Sequence, residues 1–538
     1  MAFLIFLRTS LVLSLLASSR TTSRSHLLHG TTIPNGDGPL AGSRQTSPSD
    51  SYDVVVVGSG IGGLSCAAIL AKYGYSVAVM ESHSAPGGAA HGFMIREKGI
   101  GDFYFDTGPS FFSGLNPNRT PKASNPLRTV LEAIEEQVPC IPYTTFGLKF
   151  PEGDFIHTPG FGKHGGIIEQ VEGSAGTQKW SRLMNNMEPL AAAVAALPTA
   201  ALRADIGTAL TAAPFLPKFA TLNPLENLKL TKPFQSILDN SGIKRASFTQ
   251  NWLDLLCFCL SGLPADGTIT AEMAMMMGEF YDDSAVMDCP KGGAKAIVEA
   301  LVRGIEKNGG SVFLNTHIDK IVVESGRATA VKLRKGGRAV RASQAVVSNL
   351  SVWDLFGSGI LDNDVVDESL VEGKMRTPVG KSFMHLHVGF KASRGELEKL
   401  QAHYLYVDDW SRGVEAEDNV VLLSIPSVHD DTLAPQGYGV LHIYTPATED
   451  YFRWEGLDRN SVEYKSLKAE RSAYLWKVLE KIIPDIRERT VVSRIGYVVQ
   501  VYLFCAISEI FIFILCCLSL SFSLSLSLSD PLFWKALP

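Results

Sequence analysis

Several familiar signals are missing from this 538-residue chain. Its 8 cysteines, at positions 66, 140, 257, 259, 289, 505, 516 and 517, show no metal-ligand spacing. Cys257 and Cys259 flank one Phe in an apolar run, which reads as core rather than as a redox pair. Reduced thiols, no disulfide framework and no metal site are therefore expected. No HExxH, P-loop or Ser-His-Asp order occurs, which removes zinc peptidases, P-loop NTPases and serine hydrolases as motif-based readings. Charge is sparse, at 19% of residues with a net of -6, and no basic block stands out. Nucleic-acid binding has little electrostatic support. There is no internal repeat.

What is present is apolar material and glycine. Hydrophobic residues make up 46% of the chain and there are 48 glycines. That suffices for a large core and more than one domain, with many tight turns and close backbone approaches.

The strongest local signal lies between residues 52 and 81. Tyr52–Gly58 reads YDVVVVG, a β-branched run expected to form a strand buried on both faces. Small residues follow at Gly60, Gly62, Gly63, Ser65, Ala67, Ala68 and Ala71, as suits a helix packed tightly on a sheet. Gly74 ends that helix, and Ser76–Met80 is the next strand, closed by Glu81. Gly58-Ser59-Gly60-Ile61-Gly62-Gly63 satisfies G-x-G-x-x-G within this strand–turn–helix context, which makes it a dinucleotide-binding fingerprint. Gly58 permits the turn, Gly60 admits a pyrophosphate without a Cβ in the way, and Gly63 allows close helix–strand packing. The helix N-terminus offers N–H groups and a positive dipole end to phosphates. Glu81 is placed to accept hydrogen bonds from ribose hydroxyls. The fingerprint does not by itself separate NAD from FAD.

Farther along, Lys149–Phe155 and its surroundings read as hairpin and loop. Met184–Leu263 is helix-rich and apolar, broken by Pro198, Pro214 and Pro217. It reads as a helical core or as a lid surface that touches lipid. Gly292–Asn308 is expected as a helix, followed by strands at Ser311–Leu314, Ile318–Glu324, Ala328–Arg334 and Ala342–Ser348.

Four further segments carry a family resemblance. Glu81-Ser-His-Ser-Ala-Pro86-Gly87-Gly88 resembles the E-x(4)-P-G-G segment of the phytoene-desaturase and amine-oxidase type FAD oxidoreductases. Phe105-Asp106-Thr107-Gly108-Pro109-Ser110 resembles that family's F-D-x-G segment, which passes close to the flavin. Cys289-Pro290-Lys291-Gly292-Gly293 with Ala300-Leu301 is similar to its later P-x-G-G…A-L helix start, and Val346-Val347-Ser348-Asn349 to its V-I-S-N strand end. Ala89-Ala90-His91-Gly92-Phe93 stands where many members place Arg, which is closer to the carotenoid-isomerase and retinol-saturase branches. The matches run in order from residue 52 to about 495.

The resemblance implies an α/β fold, with a discontinuous Rossmann-like FAD domain (51–150 and 285–355) and an inserted α+β substrate domain (151–284 and 356–496). It implies FAD as cofactor, held by Gly58, Ser59, Gly60, Ile61, Gly62, Gly63, Glu81, Gly87, Gly88, Ala89, Thr107, Gly108 and Ile318. An apolar polyene is the implied substrate, acted on by cis–trans isomerisation, with saturation, desaturation or a non-catalytic FAD-binding role as alternatives. No catalytic side chain is nominated, because a polyene has no group that needs a strong acid or base. His91 is read as a hydrogen-bonded structural residue and Asp106 as a turn or cap residue. Met273, Met275, Met276 and Met277 are read as core.

The ends are unusual. Residues 1–50 are Ser-rich, bear Arg8, Arg20, Arg24 and Arg44, and reach their first acid at Asp37. This fits a plastid transit peptide; a secretory signal with Leu11–Ala17 as its apolar core is the alternative. Residues 497–538 are apolar, with nearly strict Ser-Leu alternation in Leu520–Ser529. A CT dinucleotide repeat read in triplets encodes that alternation, so translated intron sequence is the expectation and a tail anchor the alternative. The family's flavin-closing C-terminal segment has no counterpart here, and weak FAD binding is the expected result. A plastid protein at or near a membrane is implied.

Overall fold

The computed structural model describes residues 47–116, 125–160, 165–196 and 228–497. The leader, the proline-broken stretch around Pro198, Pro214 and Pro217, and the Ser-Leu tail fall outside these residues.

Two sheets organise the molecule. The first is built from β1 (Ser51–Val57), β2 (Val77–Met80) and, much later in the chain, β10 (Ser311–Phe313), β11 (Ile318–Glu324), β12 (Arg327–Leu333) and β13 (Ala339–Ser348), in the order β10-β2-β1-β13-β12-β11. β1 is central and pairs in parallel with both β2 and β13. Its valines alternate sides, as period-two geometry requires. Val54 and Val56 pack with Leu64 and Ala67 of helix α1 (Ile61–Lys72) and with Ile297 and Leu301 of the helix Lys295–Lys307. Val55 and Val57 pack with Phe313, Val331 and Val346 on the other face. The strand is therefore covered on both sides.

Between these halves lie β3 (Gly92–Glu97) and β4 (Gly101–Asp106), which form a hairpin, and a small sheet of β5 (Phe112–Ser113), β6 (Cys140–Tyr143) and β9 (Met287–Pro290). The second large sheet takes the hairpin β7 (Phe146–Phe150) and β8 (Gly153–His157) and joins it to β14 (Ser382–Lys391), β15 (His403–Val407), β16 (Val420–Ser424), β17 (Tyr438–Glu449) and β18 (Thr490–Tyr497). Its order is β18-β14-β17-β16-β15-β7-β8. Helices Ile167–Ala196 (interrupted at Gly173), Phe248–Ser261, Thr270–Phe280 and Val462–Ile482 contribute to the same core, which includes Trp180, Trp252, Phe258, Met273, Met277, Leu386, Ile443 and Leu475. Met273 and Met277 are core as expected; Met276 packs against that core from a partly buried position. Cys257 and Cys289 are buried free thiols.

Two boundaries differ from expectation by more than one residue. The helix expected from Gly292 begins at Lys295. Gly292 (φ +89°) and Gly293 (φ +78°) are left-handed and make the turn that feeds it. β13 is also longer than the expected Ala342–Ser348, because its first part pairs with β12 before its second part pairs with β1. Among the described residues, no helix is long and apolar enough to cross a membrane.

Candidate dinucleotide site

The site forms where β1 turns into α1. Gly58 holds φ +94°, a conformation that disfavours any side chain. A Cβ on Gly63 would collide with the Gly58 carbonyl oxygen, so the helix lies against the strand end as closely as backbone allows. Gly60 is the N-cap, and no side chain caps the helix there. Its first-turn N–H groups thus end in an uncapped positive pole.

Gly60 has a second constraint that the sequence did not reveal. A Cβ built on it would lie 2.6 Å from Nδ2 of Asn349, the residue that follows β13. Asn349 also faces Gly58 and Gly63 within van der Waals range, so its side chain roofs the glycine turn. Part of the reason for glycine at 60 is therefore an amide from the V-S-N strand end.

Glu81 ends β2 beside this turn. One carboxylate oxygen accepts from the Ser59 N–H (2.9 Å) and Ser59 Oγ (2.6 Å), and the other from the His83 N–H (2.7 Å). The next loop is tied to the same place. The Gly87 N–H donates to the Ser59 carbonyl (2.9 Å) and lies 3.3 Å from Ser59 Oγ, and Gly60 and Gly87 form a parallel bridge. Gly87, at φ +116°, starts the short turn Gly88–Ala90. Thr107 Oγ1 then donates to the carbonyls of Ala89 (2.8 Å) and His91 (2.6 Å). A Cβ on Gly108 would strike the Ala89 carbonyl, so these two segments lie in contact.

The residues singled out from sequence, from Gly58 through Ile61 to Gly63, Glu81, Gly87, Gly88, Ala89, Thr107 and Gly108, are thus brought into one continuous cradle. Ile318 stands apart. Its side chain is buried in the core with Val331 and Val346, and it is the backbone just before it that approaches the site. The Thr316 N–H donates to the Glu81 carbonyl (2.7 Å) and the Asn315 N–H to that of His83 (3.0 Å).

His91 Nδ1 lies 2.6 Å from the Gly88 carbonyl and so staples its own turn. Burial pushes its pKa down, the hydrogen bond to Gly88 opposing. Asp106 caps the helix Lys295–Lys307: Oδ1 accepts the Ala294 N–H at 2.9 Å. Burial pushes its carboxyl up to about 7, against the opposing N–H groups of Ala294 and Lys295. Asp430, 1% exposed and contributed by the second sheet's connections, accepts the Gly292 N–H at 2.7 Å. Two carboxylates from different layers therefore hold the same turn. Nothing in the local sequence singles out Asp430, and the buried histidines of the second sheet are not among the residues expected at the site. The alternation His385-Leu386-His387, which puts two imidazoles on one strand face, was the available signal.

Residues 56–124 match the family model of an NAD(P)-binding Rossmann-like domain. The chain is 27% identical over 472 residues to a chloroplastic prolycopene isomerase of an Oncidium hybrid cultivar, covering 86% of this chain and 75% of that protein. It is 23% identical to an all-trans-retinol 13,14-reductase of Danio rerio, covering 82% and 74%. Among solved structures, a redesigned putrescine oxidase superposes with a TM-score of 0.54 at 16% identity, covering 83% of this chain and 85% of that one, a likeness of fold. The match to a Rossmann-like domain covers the turn, Glu81 and the Gly87–Gly108 segments described above.

Proposed function

We propose that this chain is a carotenoid isomerase-like enzyme of the amine oxidase and desaturase type, which binds FAD and isomerises a carotenoid or similar apolar polyene. The observation that carries the cofactor reading is the cradle itself. The turn is closed to Cβ atoms at Gly58, Gly60 and Gly63, the helix pole is uncapped, and a carboxylate stands at the end of the second strand. In this reading Gly58–Gly63 and the α1 N-terminus hold the pyrophosphate and Glu81 the ribose. Gly87, Gly88, Ala89, Thr107 and Gly108 border the ring. Bound FAD would supply the electron-transfer chemistry that no side chain here offers.

The protein's own part is binding, orientation and exclusion of water. Asp106 is turned onto a helix N-terminus and His91 onto its own loop, so these two titratable groups serve the fold. That supports a reaction on a conjugated chain, which presents nothing for an acid or base to grip. The strands β1, β2 and β10–β13 would form the FAD layer, and the second large sheet with its helices the polyene layer. The chloroplastic relatives support a plastid setting, close to the membranes where polyenes dissolve. A saturase reading is the second one, favoured by the likeness to the retinol reductase.

The test is anaerobic incubation of flavin-loaded protein, reduced and oxidised, with poly-cis carotenes, followed by pigment and mass analysis. A geometric isomer of unchanged mass, formed with reduced flavin, is expected. A product heavier or lighter by a pair of hydrogens moves the reaction to saturation or desaturation. Purified protein that carries NADP and no flavin sinks the cofactor reading.

A further inference from the structure

One register line of the second sheet is polar. Direct cross-strand partners are Arg494 with His387, His387 with His442, His442 with Ser424, and Ser424 with His403. Residues paired in this way project from the same face, so the line forms a row across β18, β14, β17, β16 and β15. The row is desolvated from His387 onward, with Arg494 exposed at its β18 end: His387 and His442 are 3% exposed, Ser424 2% and His403 7%. Imidazoles buried at this depth need hydrogen-bond partners.

The partners are the two ends of one segment. His387 Nε2 lies 2.9 Å from the Asp106 carbonyl, and His403 Nε2 lies 3.0 Å from the Ser110 carbonyl. A carbonyl only accepts, so each Nε2 carries the proton and donates. Tyr143 Oη, 2.8 Å from Nδ1 of His403, then donates to that ring's other nitrogen. Burial keeps both rings neutral, pushing His387 down to about 4 and His403 to about 3.

The dimensions agree. β14 and β15 are separated by β17 and β16, three strand spacings or about 14 Å. The four peptide steps from Asp106 to Ser110 reach about 13–14 Å when extended. That reach is an upper limit for a segment bent at Thr107 and Gly108, and the two hydrogen bonds place its ends at His387 of β14 and His403 of β15. His442 and Ser424 stand between its two anchor points. They line a cavity of about 10 Å³ together with Phe105, Asp106 and Ser110, room for roughly one water. Among the described residues, His442 Nδ1 has no hydrogen-bond partner.

We propose that His387 and His403 are positioning residues that clamp both ends of Asp106–Ser110 to the second sheet, and so fix the height at which Thr107 and Gly108 meet the cofactor. The consequence for the cofactor rests on the FAD reading above; the clamp itself does not. His387 is replaced by Gln, whose amide N–H reaches close to the Nε2 position, and by Leu, which has similar bulk and no donor. His403 is treated likewise. Hydrogen exchange over residues 104–112 is read in flavin-free protein, and the flavin absorption band and the split between kcat and KM in loaded protein.

The Leu variants should exchange roughly tenfold faster in that peptide, the loss of about one net hydrogen bond. They should shift the flavin band and lower kcat with KM little changed, and the Gln variants should return toward the parent. Leu and Gln variants that behave alike in exchange and band, or that both fail to fold, overturn the clamp. If the parent takes up no flavin, the FAD reading fails, while the flavin-free exchange still judges the clamp.

Discussion

The two large sheets bury opposite kinds of side chain. The central strand of the first, largely parallel sheet, which only β12 and β11 join antiparallel, is a run of valines, each 3% exposed or less, with apolar layers on both faces. The central strands of the second, largely antiparallel sheet, in which only β15 and β7 pair in parallel, bury His385, His387 and His442 beside Leu386, Val388 and Ile443. The rings of His387 and His442 stack at 4.2 Å between centroids, and His385 Nδ1 lies 2.9 Å from His442 Nε2. The parallel sheet is held by shape, the fit of backbone against backbone at Gly58 and Gly63. The antiparallel sheet adds a buried polar line that has to stay neutral. The first arrangement is sensitive to volume and the second to protons.

The sharpest way to break this contrast is a single methyl group. Gly63→Ala sets a Cβ against the Gly58 backbone oxygen, which cannot move without the strand. A loss of about 3 kcal/mol or more and no cofactor retention are expected, at the upper end of overpacking costs. Within the protein Gly60→Ala meets only the Asn349 amide, the far end of a side chain that can swing away, and should cost far less stability while still hindering the pyrophosphate. Thermal midpoints and bound flavin report both. Equal losses would show that the turn, rather than the helix–strand contact, sets the stability.

Acid should open the other sheet first. Burial lowers the pKa of His385 to about 3 and of His387 to about 4, and takes His442 well below its usual value. A depressed imidazole pKa gives stability that is whole above about 6.5 and lost as pH falls toward the folded value. Each unit of separation corresponds to about 1.4 kcal/mol, so several such groups together outweigh any single carboxyl. At pH 5, amides of β14 and β17 should exchange faster than those of β1 and β2 relative to pH 7. Uniform protection of both sheets at pH 5 would remove the distinction.

A smaller effect of opposite sign belongs to Asp106. Its carboxyl is raised to about 7, so the folded state holds the proton more tightly. The stability this gives is complete below about pH 4 and is lost as pH rises through 7. Asp106→Asn keeps an oxygen for the Ala294 N–H and removes the titration. The variant should therefore lose less stability than the parent between pH 5 and pH 8, as read from denaturant midpoints. A steeper loss in the variant would mean that the carboxylate charge itself holds the helix end.

The parallel half was legible because its signals are local. A β-branched run, a glycine fingerprint and a closing Glu81 lie within about thirty residues, and the expected strands at Ile318–Glu324 and nearby appear where periodicity placed them. Two glycines in sequence, at 292 and 293, were absorbed into a helix because a left-handed turn and a flexible helix start look alike in letters. The antiparallel half was not legible. β7 and β8 join strands more than two hundred residues away, and nothing in their own sequence names those partners. Asn349 likewise reads as a strand-end polar residue until the fold lays it over Gly60.

The turn at Lys291–Gly293 gains another meaning from its two acidic partners. Asp430 draws on the Gly292 N–H and Asp106 on that of Ala294, so both layers lean on one helix pole as two walls lean on one keystone. The Asp430 charge also raises the cost of charging Asp106. The β3–β4 hairpin and the connections of the second large sheet are thus anchored to the start of the same helix, so the loss of either acid would free one side of a joint that the other still holds.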